Sequence, residues 1–207
     1  MKLDHLSFPD IGWGYMPATE EIYSAFNWCQ ERINPRHVLE IGYHMGHSTT
    51  YQLEIFKNAQ VLSISPYNDL SGRKTGDRVD QSDRHRMAIT LKEIYGNRWD
   101  WLPGRTKHLK DSLIEYNDQQ KIKFDFALVD GNHSEANATL DIQTCIDLGI
   151  RFMLIDNHEL KTVQRAVKSF SEITPVKPFY YEQTFKGKKN NGEILLAQVR
   201  NPQKNML

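Results

Sequence analysis

The sequence predicts one α/β domain with a doubly wound, mostly parallel sheet that is closed by an antiparallel hairpin. Short apolar runs alternate with segments of helical periodicity from residue 19 to about residue 170, which is typical of parallel strands joined by crossover helices. The polar, glycine-containing stretch Lys186–Gly192 then separates two strand-like runs, Pro178–Phe185 and Glu193–Val199. That pattern indicates a β-hairpin at the end of the domain.

Each predicted parallel strand is a short apolar run that ends at a turn signal or a polar residue. The second run stops at Pro66, the third at Pro103-Gly104 and the fourth at Asp130-Gly131. The five strands are predicted at His37–Gly42, Val61–Ser65, Trp99–Leu102, Phe124–Val129 and Ile150–Ile155.

The predicted helices are recognised by apolar spacing and by residues that start or stop a helix. Thr19 caps the first helix, whose apolar stripe runs through Ile22, Phe26, Cys29 and Ile33. Ser134 and Glu135 cap a later helix that ends at Gly149. The other helices are predicted at Ser48–Lys57, from Ser82 to Gly96, around Leu109–Tyr116 and around Val163–Phe170.

Composition and charge narrow the class of protein. The 207 residues are expected to form a single domain over residues 1–207, with residues 1–18 as an N-terminal extension or lid. Lysine plus arginine and aspartate plus glutamate number 26 each, so no overall field favours nucleic acid or a membrane surface. With no apolar leader or spanning run, a cytoplasmic location is expected. The oligomeric state stays open, a homo-oligomer included.

The turn after the first strand carries the first candidate ligand site. It reads Glu40-Ile41-Gly42-Tyr43-His44-Met45-Gly46-His47-Ser48. Ligands of open α/β sheets bind at the carboxyl ends of the strands, and glycines at Gly42 and Gly46 allow tight turning and close approach of the backbone to a ligand. Taken alone, the two glycines are equally compatible with a purely structural turn.

The ends of the fourth and fifth strands carry polar side chains. Asp130, Asp156 and Asn157 offer the hard oxygen ligands that suit Mg²⁺; as separate residues they could instead cap helices. His133 could act as a general base for a hydroxyl group, or could help to start the helix at residue 134. A softer metal site that joins His133 with His158 is a further alternative.

Taken together, these motifs resemble a known family. Glu-Ile-Gly-x-x-x-Gly-x-Ser at residues 40–48, Val129–Ser134, Leu154–Asn157 and the terminal hairpin resemble class I S-adenosylmethionine-dependent methyltransferases. The resemblance is closest to the branch of catechol O-methyltransferase-like and cephalosporin-hydroxylase-like small-molecule O-methyltransferases, and it covers about residues 20 to 200. It implies a Rossmann-like methyltransferase sheet.

The resemblance also implies roles for particular residues. Glu40 would organise the loop or meet the amino group of S-adenosylmethionine, and Asp130 would belong to both the cofactor site and the metal site. Asp156 and Asn157 would complete the ligands of Mg²⁺ or a similar divalent cation. The methionine part of the cofactor would be wrapped by Gly42, Tyr43, Gly46 and Ser48.

Two positions depart from the family pattern. His44 stands where the commoner form has a middle glycine. Ser65 stands at the end of the second strand, where the family usually has a carboxylate that holds the ribose hydroxyls. A hydroxyl lacks the charge-assisted grip of a carboxylate, so Ser65 holds the ribose more weakly unless Asp69 in the following loop substitutes.

The sequence therefore predicts a Mg²⁺-assisted, S-adenosylmethionine-dependent O-methyltransferase that acts on a small hydroxylated acceptor such as a sugar or a catechol-like ring. Ser65 keeps open an alternative, a catalytically inactive binding module of the same fold that acts through a partner. A nicotinamide-dependent Rossmann enzyme is disfavoured, because the first turn lacks Gly-x-Gly-x-x-Gly and the terminal hairpin is foreign to that plan.

Overall fold

In the part of the chain that the structure describes, strands and helices alternate, and two consecutive strands come last. The structure is a computed structural model that describes residues 16, 19–65, 81–119, 122–185 and 188–200. Its strands are β1 (His37–Ile41), β2 (Gln60–Ser65), β3 (Trp99–Pro103), β4 (Phe126–Val129), β5 (Phe152–Ile155), β6 (Ile173–Phe185) and β7 (Lys188–Val199). Its α-helices are α1 (Glu20–Arg32), α2 (His47–Ile55), α3 (Gln81–Tyr95), α4 (Thr106–Gln119), α5 (Glu135–Asp147) and α6 (Lys161–Lys168).

The seven strands form one sheet in the order β3-β2-β1-β4-β5-β7-β6. The first five strands are parallel, and β7 is antiparallel to both β5 and β6. The chain moves outward from β1 to β3 and then returns to place β4 on the other side of β1, so the strand order reverses between β1 and β4. Ligands of open α/β sheets bind at such a reversal point. The predicted doubly wound sheet with its terminal hairpin is confirmed.

Apolar side chains fill both faces of the sheet, because successive residues of a strand point to opposite sides. On one face α1, α2 and α3 pack around Phe26, Phe56 and Trp99. On the other face α5 and α6 pack with Leu113 of α4 against Leu39 and Ala127. The central strands are buried on both sides, which explains why their sequences are nearly continuous apolar runs.

Helix α1 shows how the local sequence starts an element. The hydroxyl oxygen of Thr19 accepts a hydrogen bond from the backbone N–H of Ile22 at 3.3 Å, as predicted for a helix cap. Ser134 takes the corresponding place before α5 without a capping bond from its side chain. Instead, the backbone N–H of Ser134 donates to Asn132 Oδ1 at 2.9 Å.

Several boundaries differ from the predictions. Strand β5 begins at Phe152 rather than at Ile150, and β6 begins at Ile173 rather than at Pro178. Strand β4 begins at Phe126 rather than at Phe124, and the Asp125 carboxylate accepts hydrogen bonds from the backbone N–H groups of Arg36 and His37. The predicted turn Lys186–Gly192 is too long, because β7 already begins at Lys188. Residues 188–194 pair only with β6, whereas residues 195–198 also pair with β5. The outer part of the hairpin therefore lacks a second neighbour, and its polar sequence resembles a turn.

Within the described residues, no helix combines the length and the apolar composition needed to span a bilayer.

Candidate active site at the carboxyl ends of the strands

The turn after β1 passes directly against the end of β4. Gly42 has φ 113°, and a β-carbon at this residue would overlap the carbonyl oxygen of Asp130 and approach the nitrogen of Gly131 to 3.0 Å. The Gly42 N–H donates to the carbonyl oxygen of Ile64 at 2.9 Å. Only glycine fits both this backbone conformation and this contact. Gly42 thus brings the candidate cofactor loop into contact with Asp130.

Gly46 shapes the start of α2 in a similar way. It is the N-cap residue with φ 80°, and a β-carbon there would lie 2.5 Å from Cδ1 of Leu91. Helix α2 follows at once, and the first N–H with a helical acceptor is that of Thr50, which donates to the Gly46 carbonyl at 2.9 Å. The N–H groups of residues 47–49 precede it, and a helix N-terminus of this kind favours an anionic group such as a carboxylate.

The Glu40 carboxylate is completely buried beneath this loop and accepts hydrogen bonds from four side chains. The donors are Ser48 Oγ at 2.5 Å, Thr49 Oγ1 at 2.5 Å, Gln52 Nε2 at 2.9 Å and Ser63 Oγ. Burial raises the pKa of Glu40, and hydrogen bonds from the three hydroxyl groups oppose that shift. Ser63 in turn accepts from Trp99 Nε1 at 2.9 Å. The network joins β1, β2, β3 and the first turns of α2.

The side chains of Ser48 and Tyr43, both predicted to bind the cofactor, contact other side chains of the protein. The Ser48 hydroxyl donates to Glu40. The side chain of Tyr43 is buried, with its ring centroid 5.5 Å from that of Trp99. Their backbone, together with Gly42 and Gly46, forms the turn itself.

Ser65 ends β2 and is partly exposed, and its carbonyl oxygen accepts a hydrogen bond from the N–H of Gly104 at 2.6 Å. The neighbouring strand β3 carries Trp101, which stacks on Trp99 with ring centroids 5.1 Å apart. Asp69, the predicted substitute for the missing carboxylate, lies outside the described residues, as does the predicted lid apart from Met16.

Asp130 directly follows β4 and Asp156 directly follows β5, at the end of the parallel pairing of β1, β4 and β5. The N–H of Asp130 donates to Ile41 at 2.8 Å, and that of Asp156 donates to Val129 at 3.0 Å. Asp156 is 5% exposed. Burial and the charge of Asp130 raise its pKa above the ordinary value. Among the described residues neither carboxylate has a lysine or arginine partner. A bound cation would therefore offset the repulsion between the negative charges of Asp130 and Asp156.

Asn157 follows Asp156 in the left-handed conformation, with φ 52°. Its Nδ2 donates to Glu159 Oε1 at 3.3 Å, so the side-chain carbonyl oxygen is left as the group available to a cation. Positive φ values are uncommon in residues other than glycine, although asparagine tolerates them best. The trio of Asp130, Asp156 and Asn157 offers the oxygen donor set that Mg²⁺ prefers.

Within the described part of the chain, no group of three or more histidine, cysteine, aspartate or glutamate side chains is arranged to hold a metal ion. The predicted trio does not amount to such a group, because its third member is an amide. Two carboxylates and one amide leave further positions of a magnesium ion to water or to substrate oxygens.

His133 lies beside Asp130, with Nε2 3.5 Å from Oδ1 of the carboxylate, and its side chain is 39% exposed. Burial of part of the ring lowers its pKa, but the nearby carboxylates, chiefly that of Asp130, outweigh burial and leave the pKa above the ordinary value. Glu159 and Asp141 add to this rise. The imidazole is thus a partly exposed base in an acidic setting.

His158 has a different carboxylate partner. Its Nδ1 lies 2.7 Å from Glu193 Oε1, and its backbone N–H donates to the Glu193 carbonyl at 2.9 Å. The N–H of Glu193 donates to Glu159 Oε2 at 2.8 Å. These contacts dock the segment after β5 onto β7 and give no support to a metal site that joins His158 with His133.

Two side chains near the site were absent from the sequence prediction. Tyr181 of β6 donates its hydroxyl hydrogen to Asp156 Oδ1 at 3.1 Å. Asp141 of α5 is buried under Gly131, whose hypothetical β-carbon would lie 2.6 Å from Asp141 Oδ2. Burial raises the pKa of Asp141 to about 6 despite a hydrogen bond from Thr106. The position of Asp141 between the apolar residues Ala138 and Ile142 of α5 could have indicated from the sequence that its carboxylate is buried. No sequence pattern indicated the position of Tyr181.

Comparison with known proteins identifies the family of the chain. Residues 39–149, from β1 through α5, match the sequence model of a family described as "Methyltransferase domain". No curated protein sequence matches the chain.

Solved structures share the fold at low sequence identity. An O-methyltransferase from Streptomyces achromogenes, TomG, involved in tomaymycin synthesis and solved with S-adenosylmethionine, is 16% identical with a TM-score of 0.64, over 93% of this chain and 83% of that chain. An O-methyltransferase from Bacillus cereus solved with S-adenosylhomocysteine is 13% identical with a TM-score of 0.62, over 92% and 85%. The 1,6-didemethyltoxoflavin-N1-methyltransferase from Burkholderia thailandensis is 14% identical with a TM-score of 0.52, over 88% and 80%.

Proposed function

The chain belongs to the methyltransferase-domain family, and from that premise we propose that it is an S-adenosylmethionine-dependent O-methyltransferase assisted by Mg²⁺ or a similar divalent cation. Its acceptor is a small hydroxylated molecule such as a sugar or a catechol-like ring. The observation that carries this proposal is the contact between Gly42 and Asp130, because it joins the candidate cofactor turn to the candidate metal site.

The cofactor is assigned to the crevice at the reversal of strand order. S-adenosylmethionine supplies the methyl group as a sulfonium when it is bound. The turn Gly42–Gly46 offers its backbone to the methionine part, and the N–H groups at the start of α2 suit the cofactor carboxylate. The Glu40 network holds that turn in place. Ser65 offers one hydroxyl at the place assigned to the ribose. The neighbours solved with S-adenosylmethionine and S-adenosylhomocysteine support this choice of cofactor.

Asp130, Asp156 and Asn157 would hold the cation through their oxygen atoms. A bound divalent cation lowers the pKa of an acceptor hydroxyl and fixes its position. The two carboxylates lack a lysine or arginine partner among the described residues, and the hydrogen bond to Glu159 leaves Asn157 Oδ1 available. Both features suit a cation.

His133 is the proposed base. The carboxylate of Asp130 lies 3.5 Å from Nε2 of the imidazole, and the side chain is 39% exposed. A raised pKa makes the neutral imidazole a stronger base for the hydroxyl proton. Since the acidic surroundings stabilise the imidazolium form, the proton can stay on His133 while the methyl group is transferred.

The O-acceptor is inferred from the donor set, since alcohol and phenol oxygens are ligands for a hard cation. Two of the solved structures above are O-methyltransferases, whereas the toxoflavin enzyme methylates nitrogen.

Methyl transfer from labelled S-adenosylmethionine to a panel of sugars and catechols tests the proposal. We expect transfer to need a divalent cation, to stop in EDTA, and to be lost in Asp156→Ala while S-adenosylhomocysteine still binds. Asp118→Ala, at an exposed position of α4, serves as the control and should behave like the native protein. Turnover that persists in EDTA contradicts the metal assignment. Failure of S-adenosylhomocysteine to bind favours the inactive binding module.

A further inference from the structure

Tyr181 links the terminal hairpin to the end of β5. It lies on β6, two strands away from β5 in the sheet, and its hydroxyl group nevertheless reaches Asp156 at 3.1 Å. The phenol therefore crosses over β7. Tyr181 is 4% exposed, so the hydrogen bond lies in a setting from which water is largely excluded and where such a bond has full effect.

Gly192 provides the path for this ring. It is the partner of Tyr181 in the pairing of β6 with β7. A β-carbon at residue 192 would overlap the ring of Tyr181 and lie 2.5 Å from its hydroxyl oxygen. The ring therefore occupies the space above Gly192 that any other residue would fill. Within a strand, such a glycine often marks close approach of another group.

The Asp156 carboxylate has a donor in the hydroxyl group of Tyr181, which donates to Oδ1. This hydrogen bond restricts rotation of the carboxylate and leaves its remaining lone pairs for another ligand. Outer hydrogen bonds of this kind orient metal ligands generally.

We propose that Tyr181 is a positioning residue that orients Asp156 for the divalent cation, with Gly192 as the residue that admits its ring. This inference rests on the proposed metal site. It assigns to the terminal hairpin a role in metal affinity beyond completing the sheet. A tyrosine that served packing alone would need only its ring, so removal of the hydroxyl oxygen separates the two roles.

Titration of Mn²⁺ followed by electron paramagnetic resonance tests the inference on the full chain. Tyr181→Phe keeps the ring and removes the hydrogen bond, and we expect Mn²⁺ affinity to fall about 10-fold or more. Affinity for S-adenosylhomocysteine, measured by calorimetry, should stay within about threefold, because the ring still packs in place. Gly192→Ala displaces the ring and should weaken Mn²⁺ binding as well.

Tyr180→Phe is the matched control, because Tyr180 is the adjacent residue on β6, is 63% exposed and should leave both affinities unchanged. Equal Mn²⁺ affinity in the native protein and in Tyr181→Phe overturns the role of Tyr181 and leaves the metal site standing. Absence of saturable Mn²⁺ binding in the native protein overturns the metal site, and the role of Tyr181 with it.

Discussion

Gly42 lies so close to the carbonyl oxygen of Asp130 that no side chain could be placed between them. The contact fixes the end of β1 against the end of β4, where the strand order reverses. The turn Gly42–Gly46 and the residues after β4, which are far apart in the chain, thus lie side by side at the carboxyl edge of the sheet.

Gly42→Ala should destabilise the protein by about 3 kcal/mol or more, because the new β-carbon overlaps backbone atoms and the residue must also keep a strained φ. Urea unfolding measures the change. Gly96→Ala is the control, since Gly96 also has positive φ but a β-carbon there meets open space; its cost should be about 1 to 2 kcal/mol. An equal loss of unfolding free energy in Gly42→Ala and Gly96→Ala would contradict the close contact between Gly42 and Asp130.

Glu40→Gln tests whether Glu40 organises the loop or contacts the cofactor directly. An amide places N–H hydrogens where the carboxylate accepts from four donors, so we expect a loss of about 1 to 3 kcal/mol in stability. Affinity for S-adenosylhomocysteine should fall as well. Glu20→Gln, exposed in the first turn of α1, is the control. Weaker binding with unchanged stability would indicate direct contact with the cofactor instead.

Asp141 should make stability depend on pH. Its folded pKa of about 6 lies above the ordinary value of 3.8, so the folded state holds the proton more tightly than the unfolded state. This contribution to stability is complete below about pH 4 and is lost as the pH rises through 6. Asp141→Asn does not titrate, and it should be more stable than the native protein at pH 7.5 by up to about 3 kcal/mol.

Urea unfolding at pH 4.5 and pH 7.5 measures this difference for Asp141→Asn, with the exposed Asp118→Asn as the control. The advantage of Asp141→Asn should be much smaller at pH 4.5. The same advantage at both pH values, or a less stable variant at pH 7.5, argues against a destabilising charge at Asp141.

His133→Asn tests the proposed base. Loss of a general base typically lowers the rate by about 10²- to 10⁴-fold, and we expect kcat to fall in this range while S-adenosylhomocysteine binding is retained. His108→Asn, at an exposed position of α4, should have native activity. A kcat within twofold of the native value in His133→Asn would exclude the imidazole as the base.

The fold could be predicted because burial on both faces imposes a recognisable pattern. Strand β4 is apolar at every position, from Phe126 to Val129, since helices cover both of its faces. The methyltransferase family, predicted from the turn after β1 and from the strand ends, is confirmed by the match over residues 39–149. Boundaries were less predictable where pairing with a distant segment extends an element, as with β6, which begins at Ile173 rather than at Pro178 because Ile173 already pairs with Val199 of β7.

The site was predictable only where its residues follow strands directly. Asp130 and Asp156 follow β4 and β5 directly, as predicted, and their role as metal ligands stays a prediction. Tyr181 was missed because its partner lies 25 residues away, and its position depends on the hairpin register and on the absence of a side chain at Gly192. Such contacts between distant segments leave no periodic trace in a sequence.

Calorimetric titration of S-adenosylhomocysteine, with and without Mg²⁺, tests the central claim most directly. We expect one molecule to bind per chain under both conditions, because the turn Gly42–Gly46 and the start of α2 are built from the chain alone. Absence of binding under both conditions, even at millimolar S-adenosylhomocysteine, would contradict the assignment of this crevice as a methyltransferase cofactor site.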